Sequence, residues 1–292
     1  MTDARELTLS LSGRWHGRYG VAPCPCCQPE RRRTQDALTL SDGRDGRLLA
    51  HCKKSACAFA DILAAGGIAP GSYQAPDPAE LAKREAERRA EAEKRARQAR
   101  AVWDGAQPIG GTVAEAYLRN RGITCALPAT LRFAPSCWHA SAKRLPALVA
   151  LVEGGEGFAV HRTYLRADGG GKAEVEPAKA MLGSTQGGAV RLASGPGPLV
   201  ICEGIETGLS LASGLLRKPA TIHAALSTSG IRGLRLPDAP GRLTVAPDGD
   251  TPGRDAAHAL AERAHALGWQ VSLLAAPDGR DWNDVLCGEV AA

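Results

Sequence analysis

The alternation of apolar and polar positions is most regular from residue 195 onward. Short apolar runs alternate there with segments whose apolar residues recur every three or four positions, which predicts strands and helices in turn. The predicted strands are PLVICE, TIHAALS, RLTVAPD and QVSLLAAP, and the predicted helices are IETGLSLASGLL and GRDAAHALAERAHALG. Such alternation indicates an α/β domain whose parallel sheet has right-handed crossovers and is flanked by helices. The nearly continuous apolar strands fit burial on both faces.

The earlier part of the chain has less regular patterns. TVAEAYLRNRGI has helical spacing and ends at Gly122, whereas LPALVALVE and GFAVHRTYLR predict strands around the turn GGEG. Residues 77–104, DPAELAKREAERRAEAEKRARQARAVWD, are almost wholly Ala, Glu, Lys and Arg. This composition predicts a solvated helix that buries little surface. We therefore predict four pieces: a small domain over 1–75, a charged helical linker over 76–104, a mixed α/β basic subdomain over 105–194, and the α/β domain over 195–292.

Composition narrows the class of protein. A chain of 292 residues is long enough for about two compact units. A net charge of +5 permits an acidic partner such as nucleic acid, while 4% aromatic residues argue against a surface built mainly from base-stacking rings. The start MTDARELTLS lacks the apolar core of a signal peptide, and no run of about 18 apolar residues occurs. We expect a cytoplasmic protein without a membrane partner.

Five of the nine cysteines lie close together near the start of the chain. They are Cys24, Cys26 and Cys27 in APCPCCQPE, and Cys52 and Cys57 in HCKKSACAFADIL. Two cysteine pairs about two dozen residues apart predict a zinc ribbon, in which a structural Zn²⁺ takes four ligands. Cys24 and Cys27 have the usual knuckle spacing. Cys52 and Cys57 are the predicted second pair, although Cys26 and His51 remain alternative ligands, and a set of buried reduced thiols is the other interpretation.

Carboxylates follow three of the predicted strands. They are Glu203 after PLVIC, Asp248 and Asp250 after RLTVAP, and Asp281 and Asp284 after the last strand. Ligands bind beyond the carboxyl ends of the strands in an open parallel sheet. Oxygen ligands of this kind suit Mg²⁺ or Mn²⁺, so we predict a divalent-metal site there. A simple turn is the alternative interpretation of APDGDTPG, because Asp, Gly and Pro are ordinary turn residues.

The segments LVICEGIETGLSLA and VAPDGDTPGRDAAHALAERAHALG resemble the Toprim domain, which occurs in bacterial-type primases, topoisomerases and some nucleases. The family signature is a glutamate after one strand and an Asp-x-Asp after a later one. Glu203, Asp248 and Asp250 match it, and Asp281 in GRDWNDVL is the best match to a further acidic motif. Pro247 departs from the small residue expected before the first aspartate. EGIETGLS together with DWND is most similar to the Toprim domains of phage- and plasmid-borne primases.

The segment GFAVHRTYLRADGGGKAEVEPAKAMLG is similar to the basic segment that precedes Toprim in primases. Arg162 and Lys179 match that pattern, and Lys172 lies in the Gly-rich turn. The resemblance implies that these three side chains bind nucleotide phosphates and the template backbone. Taken singly, each basic residue is better interpreted as solvated surface.

A zinc ribbon, a basic segment and a Toprim domain in this order resemble a DNA primase of the phage or plasmid type. The resemblance implies synthesis of short RNA primers on single-stranded DNA from nucleoside triphosphates by metal-dependent nucleotidyl transfer. The catalytic residues it implies are Glu203, Asp248, Asp250 and Asp281. The three aspartates are expected to bind the metal together with Asp284, and Glu203 either binds the metal or moves protons. Because no GxxxxGK[ST] motif occurs, we expect a separate replicative helicase as partner. A Toprim nuclease and a non-catalytic RecR-like DNA-binding module are the alternatives.

Overall fold

The computed structural model describes residues 3–32, 34–43, 47–68 and 77–290. The chain divides into two compact units, residues 1–91 and 92–292. Within the described ranges, no helix combines the length and the apolar character that crossing a membrane requires.

The first unit contains a four-stranded antiparallel sheet whose strands follow one another in chain order. They are β1 (Arg14–Trp15), β2 (Gly20–Ala22), β3 (Leu38–Asp42) and β4 (Leu48–Cys52). Two helices belong to this unit, α1 (Ala4–Ser10) and α2 (Phe59–Ala65). Leu7, Leu38 and Ile62 are in its core. Helix α1 packs so tightly on β2 that a Cβ at Gly20 would lie 1.8 Å from the Thr8 hydroxyl oxygen, so only glycine fits there.

The second unit begins with a five-stranded antiparallel sheet, also in chain order. Its strands are β5 (Gln107–Pro108), β6 (Leu131–Trp138), β7 (Arg144–Val152), β8 (Ala159–Tyr164) and β9 (Lys179–Leu182). The connection between β5 and β6 contains helix α4 (Val113–Asn120), which Thr112 caps. The predicted helix end is confirmed, because Gly122 adopts a positive φ of 75° that favours glycine.

A second sheet in this unit is mixed, with strand order β10-β12-β11-β13-β14. The strands are β10 (Val190–Ala193), β11 (Leu199–Cys202), β12 (Thr221–Ala224), β13 (Arg242–Ala246) and β14 (Gln270–Leu273). Four strands are parallel, as predicted, whereas β10 lies antiparallel on β12 at the edge. The connection between β10 and β11 is short and turns the chain back on itself. A parallel arrangement of two strands needs a longer crossover connection, so β10 runs opposite to the other strands.

Helices cover both faces of the mixed sheet. They are α5 (Ile205–Ser210), α6 (Thr228–Gly233), α7 (Thr251–Ala266) and α8 (Trp282–Val290). Apolar residues of α6 and α7, among them Ile231 and Leu260, pack with Val245 of β13 on one face. Helices α5 and α8 share the other core with the antiparallel sheet. The prediction of one helix over IETGLSLASGLL is wrong at its end. After α5 the α-helix gives way to a wider, π-helical turn over Leu211–Leu215, in which Gly214 has a φ of 127°.

The charged stretch forms a long helix, α3 (Pro78–Asp104), as predicted. The expectation that it buries little surface is wrong for its last turns. Ala99 and Trp103 are buried there in one cluster with Val149, Val160 and Tyr164 of the antiparallel sheet. The small alanine side chain permits close approach of the helix, and Trp103 fills the adjoining space beneath the Arg132 guanidinium, 4.2 Å from its ring.

Candidate functional site

Three of the predicted acidic residues follow the carboxyl ends of two neighbouring strands. Strands β11 and β13 are parallel, and Cys202 at the end of one pairs with Ala246 at the end of the other. Glu203 follows the first strand directly, and Asp248 and Asp250 follow the second. The structure therefore places these carboxylates at one edge of the mixed sheet, which we call the carboxyl edge.

Gly249 explains how the turn between the two aspartates is built. A Cβ at this position would lie 1.9 Å from the Pro277 carbonyl oxygen, so no other residue fits without a shift of the backbone. The Gly249 N–H donates to the Arg280 carbonyl at 2.8 Å, and its own carbonyl accepts from Gly279 N–H at 2.9 Å. The two loops are clamped together by these bonds, which brings Asp281 beside the carboxyl edge.

The electrostatics of the carboxyl edge show excess negative charge. Burial raises the pKa of Asp248 to about 6, against a 3.1 Å hydrogen bond that the Thr207 hydroxyl donates to it, and Asp281 and Asp250 raise it further. Burial also raises the pKa of Glu203, with contributions from Asp248 and Asp250. Because each carboxylate disfavours the ionisation of its neighbours, a cation at this edge would relieve the repulsion.

Several of these acids also cap the first turns of helices. Asp250 accepts a 2.7 Å hydrogen bond from Gly253 N–H and is the N-cap of α7. Asp281 and Asp284 accept from each other's backbone N–H groups at the start of α8, at 2.8 and 3.2 Å. The exposed Asp284 thus has one oxygen in a capping bond. Within the described residues, no three of the acids bring oxygen atoms within 4.8 Å of one another. Because Mg²⁺ usually keeps several waters and is held by one or two carboxylates, a site for it does not require three clustered oxygens.

A buried glutamate that the sequence did not single out lies in the helix after Glu203. Glu206 is only 5% exposed and accepts a 2.7 Å hydrogen bond from the Tyr117 hydroxyl. The ammonium groups of Lys172 and Lys179 each lie 3.3 Å from one of its oxygens. Burial alone would raise the pKa of Glu206, but the two lysines and Tyr117 hold it well below its usual range.

The predicted phosphate-binding residues do not all lie together. Lys172 and Lys179 are partly exposed and both pair with Glu206. Arg162 is only 8% exposed and packs with Tyr164 and Trp138, to whose carbonyl it donates a 3.3 Å hydrogen bond. Lys179 pairs with Thr163, the neighbour of Arg162 along β8. Successive side chains of a strand point to opposite faces, so Arg162 faces away from the lysine pair.

The first unit contains a compact cysteine cluster. The sulfur atoms of Cys24, Cys27, Cys52 and Cys57 all lie within 4.8 Å of one another, and those of Cys27 and Cys52 are 3.6 Å apart. A tetrahedral zinc site with bonds of about 2.3 Å places sulfur atoms roughly 3.8 Å apart, so the four thiols fit this ion. Neither alternative ligand, Cys26 nor His51, is in the cluster.

Backbone N–H groups prepare the second knuckle for a metal. Burial would raise the pKa of the Cys52 thiol, but N–H donors from Ser55, Cys57 and Lys54 lower it to about 6. The first knuckle is braced by the buried Gln28, whose side-chain oxygen accepts from Cys24 N–H and Ala37 N–H at 3.2 and 3.0 Å. Nothing in the spacing of the cysteines singled out Gln28, because its second partner is nine residues away.

Residues 198–292 match the model of the Toprim domain family. The chain contains a Toprim domain. Residues 93–192 match a second family, a domain of unknown function designated DUF7146. The Toprim match covers the carboxyl edge and Glu206, whereas Tyr117, Lys172 and Lys179 lie in the second matched region. A comparison with curated proteins finds no match.

The chain is also similar to several solved structures. One is a DNA primase domain from Pseudomonas aeruginosa, at 19% identity and a TM-score of 0.42, covering 67% of this chain and 75% of that chain. Another is the Aquifex aeolicus primase with its zinc-binding and RNA polymerase domains, at 15% identity and a TM-score of 0.43, covering 99% and 83%. A third is the primase fragment of the bacteriophage T7 primase-helicase, at 13% identity and a TM-score of 0.39, covering 92% and 94%.

From the geometry of the cysteine cluster we expect one zinc ion per chain, bound by its four sulfur atoms. Cys27→Ser removes one of the four clustered sulfurs, so we expect the purified variant to lose the ion. Cys26→Ser changes a neighbouring thiol outside the cluster and is expected to retain it. Elemental analysis of both variants beside the unaltered protein checks this, and retention by Cys27→Ser with loss from Cys26→Ser would show the assignment to be wrong.

The raised pKa of Asp248 predicts a pH dependence of stability. Without added divalent ions, the folded state keeps a proton on Asp248 between about pH 4 and pH 6, where the unfolded chain has lost it. The free energy of unfolding therefore falls as pH rises through this window, by on the order of 2 kcal/mol after allowance for solvent screening. Urea unfolding at several pH values should show this fall in the unaltered protein and a smaller one in Asp248→Asn; identical profiles would contradict the assignment.

We expect removal of the Glu206 charge to destabilise the protein more than removal of an exposed glutamate charge. Glu206→Gln leaves two lysines close together without their buried counter-charge, so we expect a loss of about 1–3 kcal/mol in the free energy of unfolding. Glu153→Gln breaks a more exposed pair with Arg191 and should cost less than about 1 kcal/mol. Urea unfolding of the two variants compares the losses, and an equal small loss would mean that the pairs with Glu206 contribute little.

Proposed function

We propose that this protein is a DNA primase of the phage or plasmid type, which joins nucleoside triphosphates into short RNA primers on single-stranded DNA. The observation that carries the proposal is the position of Lys179. Its ammonium group lies 3.3 Å from a Glu206 oxygen and is close enough to Glu203 and Asp248 to offset part of the rise in their pKa values that burial and the neighbouring carboxylates cause. A polymerising enzyme needs cationic groups for a triphosphate beside its metal-binding acids, and this arrangement supplies both.

The carboxyl edge would hold Mg²⁺ or Mn²⁺ through Asp248, Asp250 and Asp281, with Asp284 able to bind through its second oxygen. The fit rests on the raised pKa values, which record negative charge that no side chain neutralises fully. A bound divalent ion would lower the pKa of an attacking hydroxyl and stabilise the charge on the triphosphate. Glu203 is suited to accept a proton, because burial and its acidic neighbours raise its pKa toward the working pH.

Lys172 and Lys179 would bind the triphosphate at the side of the carboxyl edge. Both side chains are partly exposed, with 34% and 41% of their surface accessible. Glu206 provides one negative charge for two positive ones, so the cluster keeps a net positive charge that an incoming phosphate can share. Glu206 holds the two ammonium groups in place, and each keeps N–H donors that are available to a phosphate.

The zinc ribbon would contact the single-stranded template. Arg31, Arg32, Lys53 and Lys54 are all exposed on the unit that contains the four clustered cysteines. Exposed cations on a small structural domain suit contacts with a phosphate backbone. A separate replicative helicase remains a predicted partner, which co-purification with a replicative motor protein would test.

Primer synthesis with labelled nucleotides on mixed-sequence single-stranded DNA tests the proposal. We expect short labelled products with Mg²⁺ or Mn²⁺, and at least a 100-fold loss in Asp248→Asn, because a metal ligand loses its charge. Asp250→Asn should lose activity while keeping the helix cap, since asparagine is an equally good N-cap residue. Asp278→Asn is the matched control, because Asp278 is 89% exposed, pairs with Arg254 and is not a proposed ligand.

The alternatives give different products in the same assay. Metal-dependent cleavage of the template without primers would identify a Toprim nuclease. Binding of DNA with neither synthesis nor cleavage would favour a RecR-like binding module. Either result overturns the primase proposal, as would primer synthesis that survives unchanged in both Asp248→Asn and Asp250→Asn.

A further inference from the structure

A second candidate binding surface lies within the second unit, on the face of the antiparallel sheet away from Glu206. It is a groove of about 800 Å³ between the last turns of α3 and the strands of that sheet. Among its lining residues are Arg95, Gln98, Trp138, Arg144, Arg162 and Leu182. We call it the arginine groove. Its volume is within the range of roughly 300–1,000 Å³ that is usual for ligand sites.

The charge of the arginine groove has one sign. Arg95 comes from α3, Arg144 from the start of β7 and Arg162 from β8, so three separate elements supply positive charge. Among the described residues that line it, none is an aspartate or a glutamate. The floor between the arginines is apolar, with Val102, Ala134 and Cys137 among its residues. Such a surface is complementary to a ligand with both anionic and flat apolar parts.

Arg162 gives the groove a fixed cation. Its side chain is nearly buried, and the hydrogen bond to the Trp138 carbonyl holds the guanidinium in place. Its Nε is buried and has no hydrogen-bond partner in the structure. A phosphate in the groove would therefore be met by the other N–H donors of the planar guanidinium, a fork that matches phosphate oxygens.

Trp138 gives the groove an aromatic surface. Its side chain is 54% exposed, although most large apolar residues of this unit are buried. Its backbone is held firmly, because its carbonyl accepts hydrogen bonds from Arg162 and from the Tyr164 hydroxyl at 3.3 and 2.8 Å. An exposed indole on a rigid strand end is a suitable stacking surface for a base, and it costs little ordering when a base binds.

We propose that the arginine groove binds single-stranded DNA, with a base stacked on Trp138 and phosphates held by Arg95, Arg144 and Arg162. A single strand exposes unstacked bases to the apolar floor, whereas a duplex presents mainly its phosphates. The choice of DNA over other anions rests on the proposed function. The inference then adds a site for the template on the face of the antiparallel sheet opposite to Lys179.

Binding of a 12-residue oligothymidylate to the full chain, without divalent ions or nucleotides, tests this site. Tryptophan fluorescence should be quenched on binding in a Trp15→Phe background, where Trp138 is the one exposed tryptophan left. Trp138→Phe in that background should lose most of the quenching, because Trp103, Trp269 and Trp282 are buried. Trp138→Ala should weaken binding by about 5- to 150-fold, the effect of losing one stacked base. Unchanged affinity and quenching in these variants would overturn the proposal.

The salt dependence of oligothymidylate affinity tests the role of the arginines independently. Arg95→Ala and Arg144→Ala change exposed side chains, and each should weaken binding and reduce the slope of log affinity against log salt by about 0.7 for each phosphate that is no longer bound. Arg97→Ala is the matched control on the same helix, because Arg97 pairs with Glu93 and does not line the groove. Equal slopes in all three variants would contradict the proposal.

The failure of this site can be distinguished from the failure of the primase proposal. Asp248→Asn should bind the oligothymidylate as tightly as the unaltered protein, because the carboxyl edge is not part of the groove. If primers are made but the Trp138 and Arg144 variants bind normally, the groove proposal is wrong. If the variants lose binding but no primers form, the groove proposal stands and the primase proposal falls.

Discussion

A carboxylate as deeply buried as that of Glu206 has to be paired with positive charge and hydrogen-bond donors, because an isolated charge in the interior costs several kcal/mol. Its partners come from separate parts of the second unit: Tyr117 from α4, Lys172 from the Gly-rich turn and Lys179 from β9. The antiparallel sheet and the Toprim domain are therefore held together at a polar point as well as by their shared apolar core. Removing the glutamate would leave two cations facing each other beside the carboxyl edge.

The acids of the carboxyl edge are positioned by hydrogen bonds with backbone N–H groups and with one threonine hydroxyl. The clamp at Gly249 fixes the loop that precedes Asp281, and helix caps use Asp250 and Asp284. Thr207, the residue after Glu206, donates to Asp248. Helix α5 thus contacts the lysine pair through Glu206 and Asp248 through the next residue, Thr207. This proximity of cations and acids is the basis of the proposed nucleotidyl transfer.

The two faces of the antiparallel sheet have different chemistry. One face packs on the Toprim domain and presents Lys179 to Glu206, whereas the other packs on α3 and contains the arginine groove. Strand alternation separates Arg162 from Lys179, although both lie in one basic segment of sequence. A protein that handles a triphosphate and a template strand has use for two such separate cationic surfaces.

Much of the fold could be predicted from the sequence, because periodicity, turn residues and cysteine spacing are local signals. They determined the four parallel strands of the Toprim domain and its helices α5 and α7, the helical nature of α3, and the two clustered cysteine pairs, but not the short helices α6 and α8. The family motif also identified Glu203, Asp248 and Asp250 as neighbours. The antiparallel direction of β10, the packing of Trp103 and the burial of Arg162 depend on contacts between distant segments. Glu206 is the clearest case: its sequence neighbours indicate only a helix, and its role follows from Tyr117, Lys172 and Lys179, which the tertiary structure brings to it. Burial in a low-dielectric interior, which no local pattern records, decides that pairing.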